Sequence, residues 1–162
     1  MGKLSNYCLY KFYAIIPLMH KKFYASGFLY HPTTRQILLQ QQKETQDTKT
    51  IWLLVGGISK SRETPQAAFK RLVQKLLRTK LSLKAIESVY FYKDIDTDHY
   101  ILYAETKKMK KSSPKNQPEF AWFTFKQVLK LQVDAQTKHD IVVSQRVIDS
   151  KTRKRLGQHT LE

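Results

Sequence analysis

Two adjacent glycines, Gly56 and Gly57, are followed by a lone acid, Glu63, and then by Arg71, in the stretch WLLVGGISKSRETPQAAFKRLVQKLLRTKL. Glycines let the backbone approach a phosphate closely, and a carboxylate near a helix start can hold a hard cation. These are parts of a phosphate-handling site. Hydrolysis at such a site would need a hard cation to neutralise the phosphate and activate water. The helix that follows should then carry further carboxylates. From Pro65 to Leu77 it carries none, and Lys70, Leu72, Lys75 and Leu76 stand along it instead.

The elements that must position these residues are marked on either side. Residues 23–30 (FYASGFLY) predict a strand, HPTTRQ a turn and ILLQQQ the returning strand. Residues 43–50 lack any apolar side chain and predict a loop, and IWLLV (51–55) predicts a short buried strand bounded by the two glycines. Thr64 suits an N-cap, and Pro65 suits the first helical position, where its missing N–H is harmless. Phe69, Leu72, Val73, Leu76 and Leu77 then share one helical face, opposite Lys70, Gln74, Lys75 and Arg78. No stop signal is evident before Lys80–Ser82. SVYFYKD and HYILYAE predict two strands around the acidic turn DIDTD, and residues 106–118 predict a basic loop. FAWFTF predicts a strand, KQVLKLQ a short helix, and the last segment an amphipathic helix running into a basic tail. This order predicts an α+β (mixed α/β) fold. The expected division is an N-terminal extension (1–22), one domain (23–150) and a basic C-terminal tail (151–162).

The motif and its surroundings resemble the Nudix hydrolases, whose box reads G-x5-E-x7-R-E-U-x-E-E-x-G-U with U apolar. Gly57, Glu63 and Arg71 match its first half in full, and Val73 fits its first apolar position. ASGFLYHPTTRQILLQQQ is similar to the family's opening hairpin, and EFAWFTFKQVLKL to its late segment. The resemblance covers roughly residues 24–131. It implies a central mixed β-sheet sandwiched between helices, and pyrophosphohydrolase chemistry on nucleoside diphosphate-linked substrates with Mg2+ or Mn2+. The departure lies after Arg71. Leu72, Lys75 and Leu76 stand where the family places metal-binding glutamates, and Arg78 stands at its final glycine. Leucine offers no donor atom and a protonated lysine repels a cation, so the comparison implies impaired or absent hydrolysis and no resident metal. If hydrolysis persists, its metal ligands must come from Glu63 with Asp94, Asp96, Asp98 or Glu119.

Glu63 is expected to pair with Arg71 beside the helix N-terminus, with a lone metal contact as the alternative. Leu72 and Leu76 are expected to widen the buried face and leave an apolar floor in place of a metal basin. If exposed, that floor requires a cover: the N-terminal extension, a protein partner, a second copy of the chain or a ligand. Asp94, Asp96, Asp98 and Glu105 fall at calcium-loop spacing, but His99 occupies the position that needs glycine, so a solvated hairpin turn is expected.

Charge sets the class of partner. Twenty-nine Lys and Arg against thirteen Asp and Glu give a formal net charge of +16. Such an excess attracts polyanions. The family includes non-enzymatic members in RNA processing and mitochondrial ribosomes, which permits an RNA-binding role. The reading is therefore a protein that binds a nucleotide or RNA, held by Gly56, Gly57, Arg71, Lys75 and the loop lysines Lys107, Lys108, Lys110 and Lys111. The single cysteine, Cys8, rules out an internal disulfide and suits the cytoplasm. No apolar run is long enough to predict a membrane span. The short apolar segment near the start runs directly into His20, Lys21 and Lys22, where a signal cleavage site would need small neutral residues, so no leader is expected.

Overall fold

Side chains along Phe23–His31 alternate between two separate cores, which makes this strand, β1, the centre of the sheet. The computed structural model describes residues 21–42, 50–109 and 119–158. The strands are β1, β2 (Gln36–Gln42), β3 (Ile51–Leu53), β4 (Val55–Ile58), β5 (Ile86–Lys93), β6 (Asp98–Glu105) and β7 (Phe120–Thr124). They form one seven-stranded sheet in the order β3-β2-β1-β6-β5, with β4 also paired to β1 and β7 to β2. Only the β1–β6 pairing is parallel, running in register from Phe23 opposite Asp98 to Tyr30 opposite Glu105.

One face of the sheet packs against α1 (Pro65–Leu77) through Ala25, Leu29, Leu38, Leu102, Phe69, Leu72 and Val73. The other packs against α2 (Phe125–Val128) and α3 (Ala135–Arg155) through Phe28, Ile37, Leu39, Tyr103, Val128 and Ile141. This is the expected mixed sheet between helices. Thr64 caps α1 as expected, its hydroxyl accepting from the Ala67 N–H at 3.2 Å.

Three local expectations are corrected. The apolar run 51–55 is not one strand. The chain changes partner at Leu54, from β2 to β1, and β4 runs through both glycines to Ile58. Helix α1 stops at Arg78, which takes a left-handed conformation (φ 50°) and donates its N–H to the Gln74 carbonyl. That conformation favours glycine, so an arginine there leaves no stop signal in the sequence. Finally, α3 continues through Lys151–Arg155, residues expected to form a tail.

β1 and β6 approach closely at Gly27. A Cβ there would lie 2.0 Å from the Leu102 carbonyl oxygen, a backbone atom that cannot swing aside. Gly27→Ala is expected to cost about 3 kcal/mol or more, because the central pairing must shift to admit one methyl group. Urea unfolding of the variant beside the wild type measures this.

Candidate functional site

The Gly–Glu–Arg motif forms a closed electrostatic staple. Arg71 donates from Nε to Glu63 Oε1 at 2.7 Å and from Nη2 to Oε2 at 2.9 Å. The Lys60 N–H donates to the same Oε2 at 2.7 Å, and Arg71 Nη2 also reaches the Ile58 carbonyl at 3.1 Å. The pair is partly buried and ties the loop after β4 to the middle of α1. Bidentate contact with the guanidinium holds the Glu63 carboxyl at about 2, with the Lys60 N–H assisting and burial opposing. Both carboxylate oxygens thus already accept strong bonds, and a cation in front of them would meet the guanidinium.

The glycines serve packing. A Cβ on Gly57 would come within 2.9 Å of Leu72 Cδ2, and one on Gly56 within 2.8 Å of Ser26 Cβ and 2.9 Å of the Tyr24 ring. The expected loop is corrected to a strand: both glycines lie in β4, and the space over each is filled by the protein's own side chains. Leu72 is buried against Gly57, and Leu76 is partly buried against the same core. The expected apolar floor is thus largely closed from within. Lys75 lies exposed on α1, away from the Glu63–Arg71 staple in its bonding.

Lys107 and Lys108 are brought somewhere else, to the end of α1. With Lys80 they border a cavity of about 380 Å³ whose apolar lining includes Leu29, Leu77 and Trp122. Trp122 stands opposite Leu38 in the β2–β7 ladder, and the His31 ring meets it edge-on at 6.3 Å. The Thr79, Ser82 and Thr106 residues add hydroxyl groups to the wall. Lys110 and Lys111 lie outside the described residues. Trp122 is expected in a strand, and nothing in the sequence signals that it lines one cavity with Lys80, Lys107 and Lys108.

Two acids of the acidic turn are engaged. Asp94 accepts from the Ile95 N–H at 2.7 Å, and Asp98 pairs with Lys21 at 3.2 Å. Glu119 is exposed at the start of β7. Among the described residues no three Asp, Glu, His or Cys side chains gather closely enough to hold an ion.

A second polar cluster, which sequence reading also missed, sits on the opposite face beside the start of α3. Tyr90 donates its hydroxyl to Asp140, and Gln136 Nε2 donates to the same carboxylate at 2.7 Å. Tyr92 stacks on His99 with ring centroids 4.8 Å apart. Burial, aided by Asp140, drives the Tyr90 hydroxyl far above the usual phenol range and Tyr92 up to about 12. Tyr90 is thus a hydrogen-bond donor to Asp140 at neutral pH.

The NUDIX domain model matches residues 21–144, and the chain belongs to the Nudix family. Solved structures agree on the fold. One from work on MutT of Aliivibrio salmonicida and Vibrio cholerae aligns at a TM-score of 0.61 and 7% identity, over 76% of this chain and 98% of that one. RenU, a Nudix hydrolase from M. smegmatis, aligns at 0.59 and 19% identity, over 79% and 86%. The C-terminal domain of mouse MUTYH, solved in complex with human PCNA, aligns at 0.60 and 12% identity, over 79% and 90%. At these identities the likeness is one of fold. No curated protein sequence matches the chain significantly. No described helix is long and apolar enough to cross a membrane.

The staple has a pH signature. The folded Glu63 carboxyl titrates near 2 against an ordinary value of 4.5, so the stability it adds is complete above about pH 4.5 and is lost as pH falls toward 2. Glu63→Gln is expected to lose about 2 kcal/mol at neutral pH and to flatten this acid limb. Unfolding curves collected from pH 7 downward check both parts.

Proposed function

We propose that this Nudix-fold chain binds the phosphates of a nucleotide or RNA strand and does not hydrolyse them. The observation that carries this reading is the replacement of carboxylate by apolar and basic groups. Helix α1 contains no Asp or Glu, and the remaining acid of the motif is engaged by Arg71 and the Lys60 N–H. A divalent ion of the kind used in Nudix hydrolysis therefore does not fit the residues present, and no catalytic step is routed through one. The cavity at the end of α1 offers what an anionic aromatic ligand requires: an apolar lining beside an indole, hydroxyl groups on the wall, and three lysines at the rim. Lys80, Lys107 and Lys108 form no ion pair among the described residues, so their charge is available to phosphate. Gly56 and Gly57 act in this reading as scaffold, and Arg71 as the staple. Lys75 adds to the positive potential of the α1 surface.

A hydrolysis panel separates binding from catalysis. Nucleoside di- and triphosphates, dinucleoside polyphosphates, nucleotide sugars and capped RNA, offered with Mg2+ or Mn2+, are expected to show no metal-dependent turnover. Titrations of the same compounds are expected to show salt-sensitive binding. Lys107→Ala combined with Lys108→Ala should weaken it about tenfold and lower the salt slope by about two. Turnover that disappears in Glu63→Gln would make the chain a hydrolase with other ligands and overturn the proposal. A complex insensitive to salt and to the lysine substitutions would point to protein docking instead.

A further inference from the structure

A second cavity, of about 430 Å³, lies beside the turn between β1 and β2 and the last turns of α3, lined by Tyr30, Arg35, Asp149, Arg153 and Arg155 among others. Leu29 lines the first cavity and Tyr30 the second. Neighbouring residues on a strand face opposite sides of its sheet, so the two cavities occupy opposite faces at the same end of β1. They meet at Glu105, the last residue of β6, which lines both.

We propose that a single-stranded nucleic acid crosses this end of the sheet, with a base in the cavity beside Trp122 and a neighbouring phosphate in the arginine-lined cavity. This rests on reading the first cavity as a base-and-phosphate site. Six cations border the two cavities, against the carboxylates of Glu105 and Asp149. Both carboxylates are covered: Arg155 pairs with Glu105 at 3.0 Å and Arg35 with Asp149 at 2.6 Å. Those pairs neutralise the crossing point and fix two guanidinium groups in place. Lys80, Lys107 and Lys108 on one face and Arg153 on the other enter no ion pair among the described residues, so a line of unspent charge runs over the edge. The geometry selects the ligand. A mononucleotide fills one cavity only. A duplex is too stiff to fold around the end of a sheet, since its bending persists over about 150 base pairs. A single strand bends freely and presents its bases and phosphates separately.

The test uses the full chain and three probes: a short fluorescein-labelled oligouridylate, the same strand annealed to its complement, and uridine monophosphate. The single strand is expected to bind at least about tenfold more tightly than the duplex or the monophosphate at physiological salt. Arg153→Ala, an exposed position on α3, should weaken the strand about fivefold and leave the monophosphate unchanged. Lys107→Ala with Lys108→Ala should weaken both. If Arg153→Ala leaves the strand unaffected, or the duplex binds equally well, the path is wrong. The base-and-phosphate reading then survives only if the lysine variant still weakens the monophosphate. If no probe binds, both readings fall.

Discussion

The structure depends on β1 being buried on both faces while pairing in parallel with β6 along its length. A strand placed this way cannot alternate apolar and polar residues. Every residue from Ala25 to Tyr30 is buried, including Ser26 and Gly27. The absence of a side chain at Gly27 lets the Leu102 carbonyl come close, and Phe69 of α1 packs over the same spot. The two cores are therefore joined through one strand, and whatever fixes that strand fixes both helical layers. Parallel strands require a long crossover connection. Here that connection contains β2, β3, β4, α1 and β5, so the motif that enters α1 is part of the wiring that closes the sheet.

That position gives the Gly–Glu–Arg part of the box a structural task of its own. Glu63 and Arg71 bind the loop after β4 to α1, and Gly57 admits the Leu72 side chain. Each has a structural task independent of catalysis. Glutamates at the positions of Leu72, Lys75 and Leu76 would have no such task here. A carboxylate at position 72 would be buried over Gly57 without a cation. Leucine removes that desolvation cost and adds apolar burial of roughly 1.5–3 kcal/mol.

The legible and illegible parts of the chain differ by the range of the interactions involved. Thr64-Pro65 announced the start of α1, because a cap is a contact between residues three apart. The spacing of Gly57, Glu63 and Arg71 announced the staple, because a loop and one helical turn set that distance. The end of α1 was not legible, since Arg78 adopts a backbone conformation that favours glycine. The break at Leu54 was equally hidden, because partner exchange depends on how β1 and β2 diverge. The sequence reading assigns Lys107 and Lys108 to one ligand site with Gly56, Gly57, Arg71 and Lys75. Tertiary structure instead joins Lys107 and Lys108 to Lys80 and Trp122, and joins Tyr90 to Asp140 across fifty residues.

A net charge of +16 would disfavour a compact chain if its cations clustered without relief. The acids are distributed so that this does not happen. Glu63, Glu87, Glu105, Asp98 and Asp149 each pair with a cation from elsewhere in the chain, at 2.6 to 3.2 Å. Three of these pairs, from Arg35, Lys151 and Arg155, fasten α3 to the sheet, and Lys151 also lies 5.5 Å from the centre of the Tyr103 ring. The scarce carboxylates are thus used where elements must be held together. Among the described residues, Lys80, Lys107, Lys108 and Arg153 enter no ion pair and stand at the borders of cavities. A surplus arranged in this way has little value for stability, because exposed charges of one sign repel. Under the proposed binding role it acquires value when an anion arrives at the end of the sheet, where two faces carry such charge around a neutralised crossing point.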